Sequence, residues 1–255
     1  EWKRGDRIVL TRNDAYWRKK RPYVERIVLR PISDHESRYA ALASGQVDMM
    51  ITDRPTHVNK LKGHPQFATY VLERAGATVM AMNCSKPPLN DVRVRRAIAH
   101  AWDQKKYIRA SFKDIVPSCE DWYGRQLNCG QVGYPRHDLT EARALMAAYG
   151  QPVEIEYIHT ATPRGREAGV ILQEMLRDID VKVKAVPSDF PGIMQKLFSR
   201  EYDICSWIIP DFEEMSLITM AAFHSKSPWN VYRFSDEEVD QLLVKQRRST
   251  DPQVR

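Results

Sequence analysis

Glycine is scarce in this chain, with 11 residues in 255. Loops that cradle phosphate need glycine so that backbone N–H groups can approach the ligand. Neither a GxGxxG nor a Walker A pattern occurs. The GxSxG elbow and the HExxH zinc motif are missing too, which removes the common hydrolase signatures. The histidines (His35, His57, His64, His100, His137, His159 and His224) are scattered and none has metal-ligand spacing. The adjacent carboxylates Glu213-Glu214 stand at a predicted loop or helix start and read as capping charge. No enzyme, cofactor or metal site is expected. No apolar run approaches the roughly 20 residues of a membrane helix.

Cysteine is also sparse. Cys84 and Cys205 sit among apolar residues and read as core. Cys119 and Cys129 flank a polar, turn-prone stretch. Two readings stay open there: free thiols, or a short disulfide-closed loop of the kind found in exported proteins.

What is present is an ordinary soluble composition, with 43% hydrophobic residues. A chain of this size can bury about 70–75% of its unfolded surface, as one large domain or two lobes. The net charge is +6. Lys and Arg are spread along the chain, often next to acids, and the densest run, Arg18-Lys19-Lys20-Arg21, reads as a solvated loop face. No nucleic-acid motif accompanies it, so no nucleic-acid partner is expected. The chain opens at Glu1-Trp2-Lys3 and reaches strand-like sequence at once, so both ends read as cut.

Strands are predicted at 7–10 and 26–30, and Ser33-x-x-Glu36 predicts a capping box opening a helix that Gly45 stops. Short strands at 47–51, 70–72 and 78–82 and a short helix at 55–61 follow. Lys86-Pro87-Pro88-Leu89-Asn90-Asp91 punctuates the chain. Helices then start after Asp91, at Asp103 and at Asp138. From 153 onward strand, helix, strand, helix, strand alternate: 153–158, 163–179, 181–186, 190–198 and 202–209. In the first of these helices Val170, Ile171, Met175 and Ile179 are expected inward. That alternation implies βαβ crossovers and a parallel-rich sheet, an α/β fold. A last helix, capped by Ser235-x-x-Glu238, should bury Val239, Leu242 and Leu243.

The remaining signal suits binding. Trp122, Tyr123, Trp207 and Trp229 punctuate predicted loops and strand ends, beside the polar groups of Asn83, Asp211 and Asn230. Aromatic walls with a few placed polar groups are the usual build of a small-molecule site. Asp211 could pair with a ligand ammonium through charge-assisted hydrogen bonds.

Three stretches carry a resemblance. Trp2-Lys3-Arg4-Gly5-Asp6 with Leu10-Thr11-Arg12-Asn13 and Tyr16-Trp17 is the first. Ala41-Leu42-Ala43-Ser44-Gly45-Gln46-Val47-Asp48 is the second. The most specific is Asn83-Cys84-Ser85-Lys86-Pro87-Pro88-Leu89-Asn90-Asp91 with Arg93-Val94-Arg95 and Ala97. With Tyr202-Asp203 through Trp207, Asn230 and 235–243, they resemble the family 5 extracellular solute-binding proteins, the dipeptide-, oligopeptide- and nickel-binding group.

The resemblance implies a two-lobed periplasmic-binding-protein fold of class II. Here that would be one complete lobe, 84–207, plus part of the other, 1–83 and 208–255. It implies an exported, periplasmic or extracellular monomer that captures a solute and delivers it to ABC permease subunits. Export in turn favours the Cys119–Cys129 bridge. A sensor or chaperone domain of the same fold is the alternative. The ligand-binding set it implies is Asn83, Trp122, Tyr123, Trp207, Asp211 and Asn230. The family's amine-binding Asp comes three residues after the Trp and a Pro follows. Here Asp211 is one position late and that Pro is missing, so Glu214 is the alternative clamp. The ligand order is therefore peptide first, then opine, sugar or metal chelate.

Overall fold

The computed structural model describes residues 1–71, 76–115, 133–210 and 215–251. The chain forms two compact units, Glu1–Tyr70 and Val71–Arg255.

The first unit opens with β1 (Trp2–Lys3), β2 (Arg7–Thr11) and β3 (Arg26–Leu29), antiparallel in the order β1-β2-β3. Gly5, at φ +77°, takes the left-handed position of the β1–β2 turn, where a side chain would be strained. Two helices follow, α1 (His35–Ala43) and α2 (Pro55–Leu61). The cap of α1 is Asp34, whose carboxylate accepts from Ser37 N at 2.8 Å. Ser33 does not cap; its backbone carbonyl receives Arg38 instead. His57 of α2 is buried, bonds Glu36 of α1 at 2.9 Å and stacks on Tyr39. That bond uses the Glu36 carboxylate expected to close a capping box. Residues 47–51 and 70–71 form no strand, and Leu72 lies outside the described residues.

The second unit runs β4 (Gly76–Met82), α3 (Val92–Ala101), α4 (Gln104–Phe112), α5 (Leu139–Tyr149), β5 (Val153–Thr160), α6 (Pro163–Arg177), β6 (Val181–Ser188), α7 (Phe190–Ser199), β7 (Ile204–Pro210), α8 (Met215–Phe223) and α9 (Glu237–Arg247). Asp103 and Asp138 cap α4 and α5 as their sequence positions predict, and Asp91 caps α3. Asp236, not Ser235, caps α9.

The sheet order is β4-β7-β5-β6. β5 runs parallel to both β6 and β7, and β4 is the antiparallel edge. One face packs Ile155, Tyr157, Val181 and Ile204 against Ile98 of α3, Ala142 of α5 and Leu172 and Leu176 of α6. The other packs Ala81, Ile158 and Cys205 against Ile193 and Leu197 of α7. With helices on both faces, β7 is a near-continuous apolar run, while β5 and β6 open with apolar–charged alternation, Val153-Glu154-Ile155-Glu156 and Val181-Lys182-Val183-Lys184. Gly165 and Gly169 let α6 lie directly on the sheet. A Cβ at Gly165 would stand 2.0 Å from the Thr160 carbonyl, and one at Gly169 3.2 Å from His159 and Ala185. That close approach turns α6 so that Leu172, Met175 and Leu176 are buried while Val170, expected inward, is 62% exposed. In α9 only Leu243 is buried, and Leu242 faces solvent.

The expected lobe boundaries fall inside this unit. β4 lies before 83/84 and β7 spans 207/208, and the two strands pair over their full length. The break between the compact units comes at Tyr70/Val71.

Candidate functional site

In an α/β sheet, ligands bind at the carboxyl ends of the parallel strands, where the helix starts and loops converge. Here that edge is formed by the ends of β5, β6 and β7 and the start of α6. Thr162 caps α6, its hydroxyl accepting from Gly165 N at 3.1 Å, and Pro163 takes the first helical turn. Arg164 follows immediately, so the turn geometry places it on the rim.

The Arg164 guanidinium lies 4.0 Å from the ring centroid of Phe112 and is hydrogen bonded to Tyr107. Tyr107 meets Trp102 at 4.9 Å and Phe112 edge-on at 5.9 Å. Behind this group, the Tyr157 hydroxyl is hydrogen bonded to Ser206 of β7. Burial pushes the Tyr157 phenol up to about 12, and Tyr107 is raised for the same reason. Both phenols therefore stay neutral donors at physiological pH. His159 is buried at the end of β5, its Nδ1 2.9 Å from the Thr160 carbonyl. Two residues beyond Ser206 on the same face, Ile208 is 59% exposed beside Thr78 of β4. The rim thus combines an aromatic wall, one guanidinium, neutral hydroxyls and an exposed apolar side chain. Such a surface suits a small ligand that bears a carboxylate and apolar parts.

The sequence-predicted residues divide into three groups. Trp207 lies on β7, half-buried, and packs from the opposite face against the cluster of Tyr202 and Ile193. Trp122, Tyr123 and Asp211, with Cys119, Cys129 and Glu214, lie outside the described residues. Asp211 directly follows Pro210, the last residue of β7 at this rim.

Asn83 and Asn230 have a different task from the one expected. The Asn83 amide is fully buried, donates to the Arg200 and Tyr202 carbonyls and accepts from Ser85 N and Oγ. All of its hydrogen-bonding capacity is spent inside the protein. It stands at the end of β4 that pairs with the start of β7, the far end from the rim. Asn230 is likewise buried, bridging the carbonyls of His224 and Phe234 and accepting from Phe234 N. Both tie loops rather than face a ligand. Trp229 is exposed and meets Phe198 edge-on at 5.4 Å.

Arg164, Tyr107 and Ser206 were not singled out from the sequence. The signal for Arg164 was the strand–Thr-x-Thr-Pro turn at 160–163, which marks a strand end and a helix start together.

Known proteins resemble this chain over nearly its whole length. The model of the bacterial extracellular solute-binding proteins, family 5 Middle, matches residues 1–227. Di/tripeptide-binding protein 2 of Pseudomonas aeruginosa (strain UCBPP-PA14) is 27% identical over 262 residues, covering 95% of this chain and 48% of its own length. The periplasmic binding protein DppA of Helicobacter pylori, solved with the peptide STSA, superposes with a TM-score of 0.84 at 23% identity, covering 99% of this chain and 51% of that one. AgaA of A. tumefaciens R10, solved with agropinic acid, gives 0.85 at 23% identity over 99% of this chain and 54% of that one. The α/β periplasmic-binding-protein fold expected from sequence is thus the fold observed. The chain spans about half the length of the curated relatives it matches.

Proposed function

The chain belongs to the bacterial extracellular solute-binding proteins of family 5, and on that premise we propose that it forms part of the substrate-binding component of an ABC importer, one that captures a peptide. The observation that carries this reading is Arg164, set on the rim over Phe112 and bonded to Tyr107. A guanidinium braced by an aromatic face and a phenol is pre-organised for a carboxylate, because less side-chain entropy is lost when the ligand arrives. Asp211, one residue past the end of β7, supplies the opposite charge for a ligand ammonium, with Glu214 as the alternative. We assign apolar contact along the ligand to Trp122 and Tyr123. A zwitterionic ligand fits such a pair of opposite charges.

Capture, not catalysis, is the activity of this family, and its place is outside the cytoplasm. The ABC permease receives the ligand because a bound protein differs in conformational population from an unbound one. The relatives' ligands are diverse, including a peptide and agropinic acid. Carboxylates are common to both, so Arg164 by itself does not separate them.

The test is thermal-shift and calorimetric titration of the polypeptide with a short peptide, its C-amidated form and its N-acetylated form. Opines, sugars and nickel chelates serve as competitors. Free peptide should stabilise the protein by mass action, about 2.7 kcal/mol at a hundredfold excess over Kd. Arg164→Ala should weaken free peptide ~10–100-fold, the value of one charge-assisted contact, yet leave the amidated peptide unchanged. Asp211→Ala should do the same for free against acetylated peptide. Stabilisation by an opine or chelate and not by peptide would refute the peptide assignment.

A further inference from the structure

The connection between β2 and β3, residues 12–25, is exposed throughout. Arg12 closes its stem. The Arg12 N–H donates to the Glu25 carbonyl at 2.8 Å, and the guanidinium pairs with Asp14 at 2.8 Å and with Glu25 at 3.9 Å. Both carboxylates of the loop are therefore engaged at its base. Arg18, Lys19, Lys20 and Arg21 form the tip, in a turn where Arg21 N donates to the Arg18 carbonyl at 3.3 Å. Among the described residues no acid pairs with any of these four cations. Lys20 holds φ +65°, a left-handed position that glycine fills more readily, yet a lysine stands there.

The tip is aromatic as well as basic. Trp17 and Tyr23 are each 74% exposed, and Val24 is exposed beside them. The Arg18 guanidinium lies 4.5 Å from the Trp17 ring centroid, and that of Arg21 lies 4.9 Å from Tyr23. Each pair sets an apolar ring and a permanent charge at one point of the surface. A loop that only had to stay solvated would gain nothing from the bare rings. Cations interleaved with Trp and Tyr suit a lipid headgroup layer, where the rings sit at headgroup level and the cations meet phosphates. We propose that the 12–25 loop docks this protein on a bilayer surface rich in anionic phospholipid. Arg18, Lys19, Lys20 and Arg21 meet headgroup phosphates, and Trp17 and Tyr23 enter between the headgroups. A single-stranded nucleic acid would need the ring faces for base stacking, and here a guanidinium already covers one face of each ring. The family's extracellular place also puts a lipid surface within reach. The docking is independent of the ligand that the protein captures.

The test is co-sedimentation of the protein with vesicles of equal parts phosphatidylcholine and phosphatidylglycerol, and with vesicles of phosphatidylcholine alone. Only the anionic vesicles should bind it, and raising the salt from about 0.05 M to about 0.5 M should release it. Each cation near an anionic surface is worth roughly fivefold in partitioning, so Lys19→Gln with Lys20→Asn should weaken binding roughly 20–30-fold. Asn tolerates the left-handed position, so the turn is kept. Lys182→Gln with Lys245→Gln removes the same charge from two exposed sites of the second unit and should leave binding nearly unchanged. Equal losses from the two pairs would assign binding to net charge and overturn the proposal. Failure to bind the anionic vesicles overturns it too, as does equal binding to both kinds. Tryptophan emission should shift to shorter wavelength on the anionic vesicles, and Trp17→Phe should abolish that shift with binding retained. A shift that persists in Trp17→Phe puts another tryptophan in the interface and refutes the docking. Tighter binding of a single-stranded oligonucleotide than of vesicles, at equal phosphate concentration, gives the loop to nucleic acid and also overturns it.

Discussion

The Lys86 ammonium lies 2.6 Å from Oδ1 of Asp203, joining the segment after β4 to the turn before β7 across 117 residues of sequence. The other carboxylate oxygen, Oδ2, accepts from Glu156 N of β5 at 2.8 Å. One side chain, just before β7, therefore ties β5 and the proline-rich segment together. Asp203 is largely buried while Lys86 is not. Lys86→Met should cost about 1 kcal/mol or less, because its half-exposed ammonium is screened. Asp203→Ala should cost about 2 kcal/mol, because the Glu156 N–H loses its partner as well. Urea midpoints of the two variants check the order.

The packing of α6 gives a sharp contrast within one helix. Leu176 is fully buried and Val170 is 62% exposed. Leu176→Ala should cost about 2–5 kcal/mol from lost burial and the cavity left behind. Val170→Ala should stay within about 0.5 kcal/mol. Comparable losses at both positions would contradict the helix rotation described above.

Asp91 caps α3 and pairs with Arg93, accepting from its backbone N–H and from its guanidinium. Those bonds lower the carboxyl from the ordinary 3.8 to about 2. A depressed carboxyl adds stability that is fully present above 3.8 and is lost as pH falls through about 2. The wild type should therefore lose stability between pH 4 and pH 2, and Asp91→Asn should flatten that part of the profile. Denaturation midpoints taken at half-unit steps of pH read the difference.

Cys205 is buried on the α7 face of the sheet, and burial pushes its thiol up to about 12. Thiolate, the reactive form, is then scarce at pH 8. Iodoacetamide should leave Cys205 unmodified in the native protein and alkylate it in urea. Cys84 is only half-buried and its thiol is raised less, so it should react first. Mass spectrometry of peptides from a timed quench distinguishes the two.

Much of the second unit was legible along the chain. The alternation from Val153 to Ile209 predicted β5-α6-β6-α7-β7, because crossovers that return to a parallel strand leave a regular apolar spacing. Asp103 and Asp138 were readable as caps, since a carboxylate before an apolar periodic run answers the orphan N–H groups. At Ser33-Asp34 and Ser235-Asp236 the hydroxyl was expected and the carboxylate caps instead. A charged acceptor bonds more strongly than a hydroxyl and also meets the positive end of the helix. The predicted strand at 47–51 was local apolar sequence with no partner strand in the sheet of its unit.

The sequence alone determined the family pattern, the α/β class and the order of elements, because each of those is a property of neighbours along the chain. Only tertiary structure decided which polar residues are spent inside the protein. Asn83 and Asn230 carry the same amide chemistry whether they hold loops or a ligand, and burial among carbonyls from Arg200, Tyr202, His224 and Phe234 gave them to the loops. Tertiary structure alone likewise brought Tyr107, Phe112 and Arg164 together, from helices separated by some fifty residues. Contacts of that range depend on how α4 and α6 pack on one sheet face, and no local pattern encodes that packing.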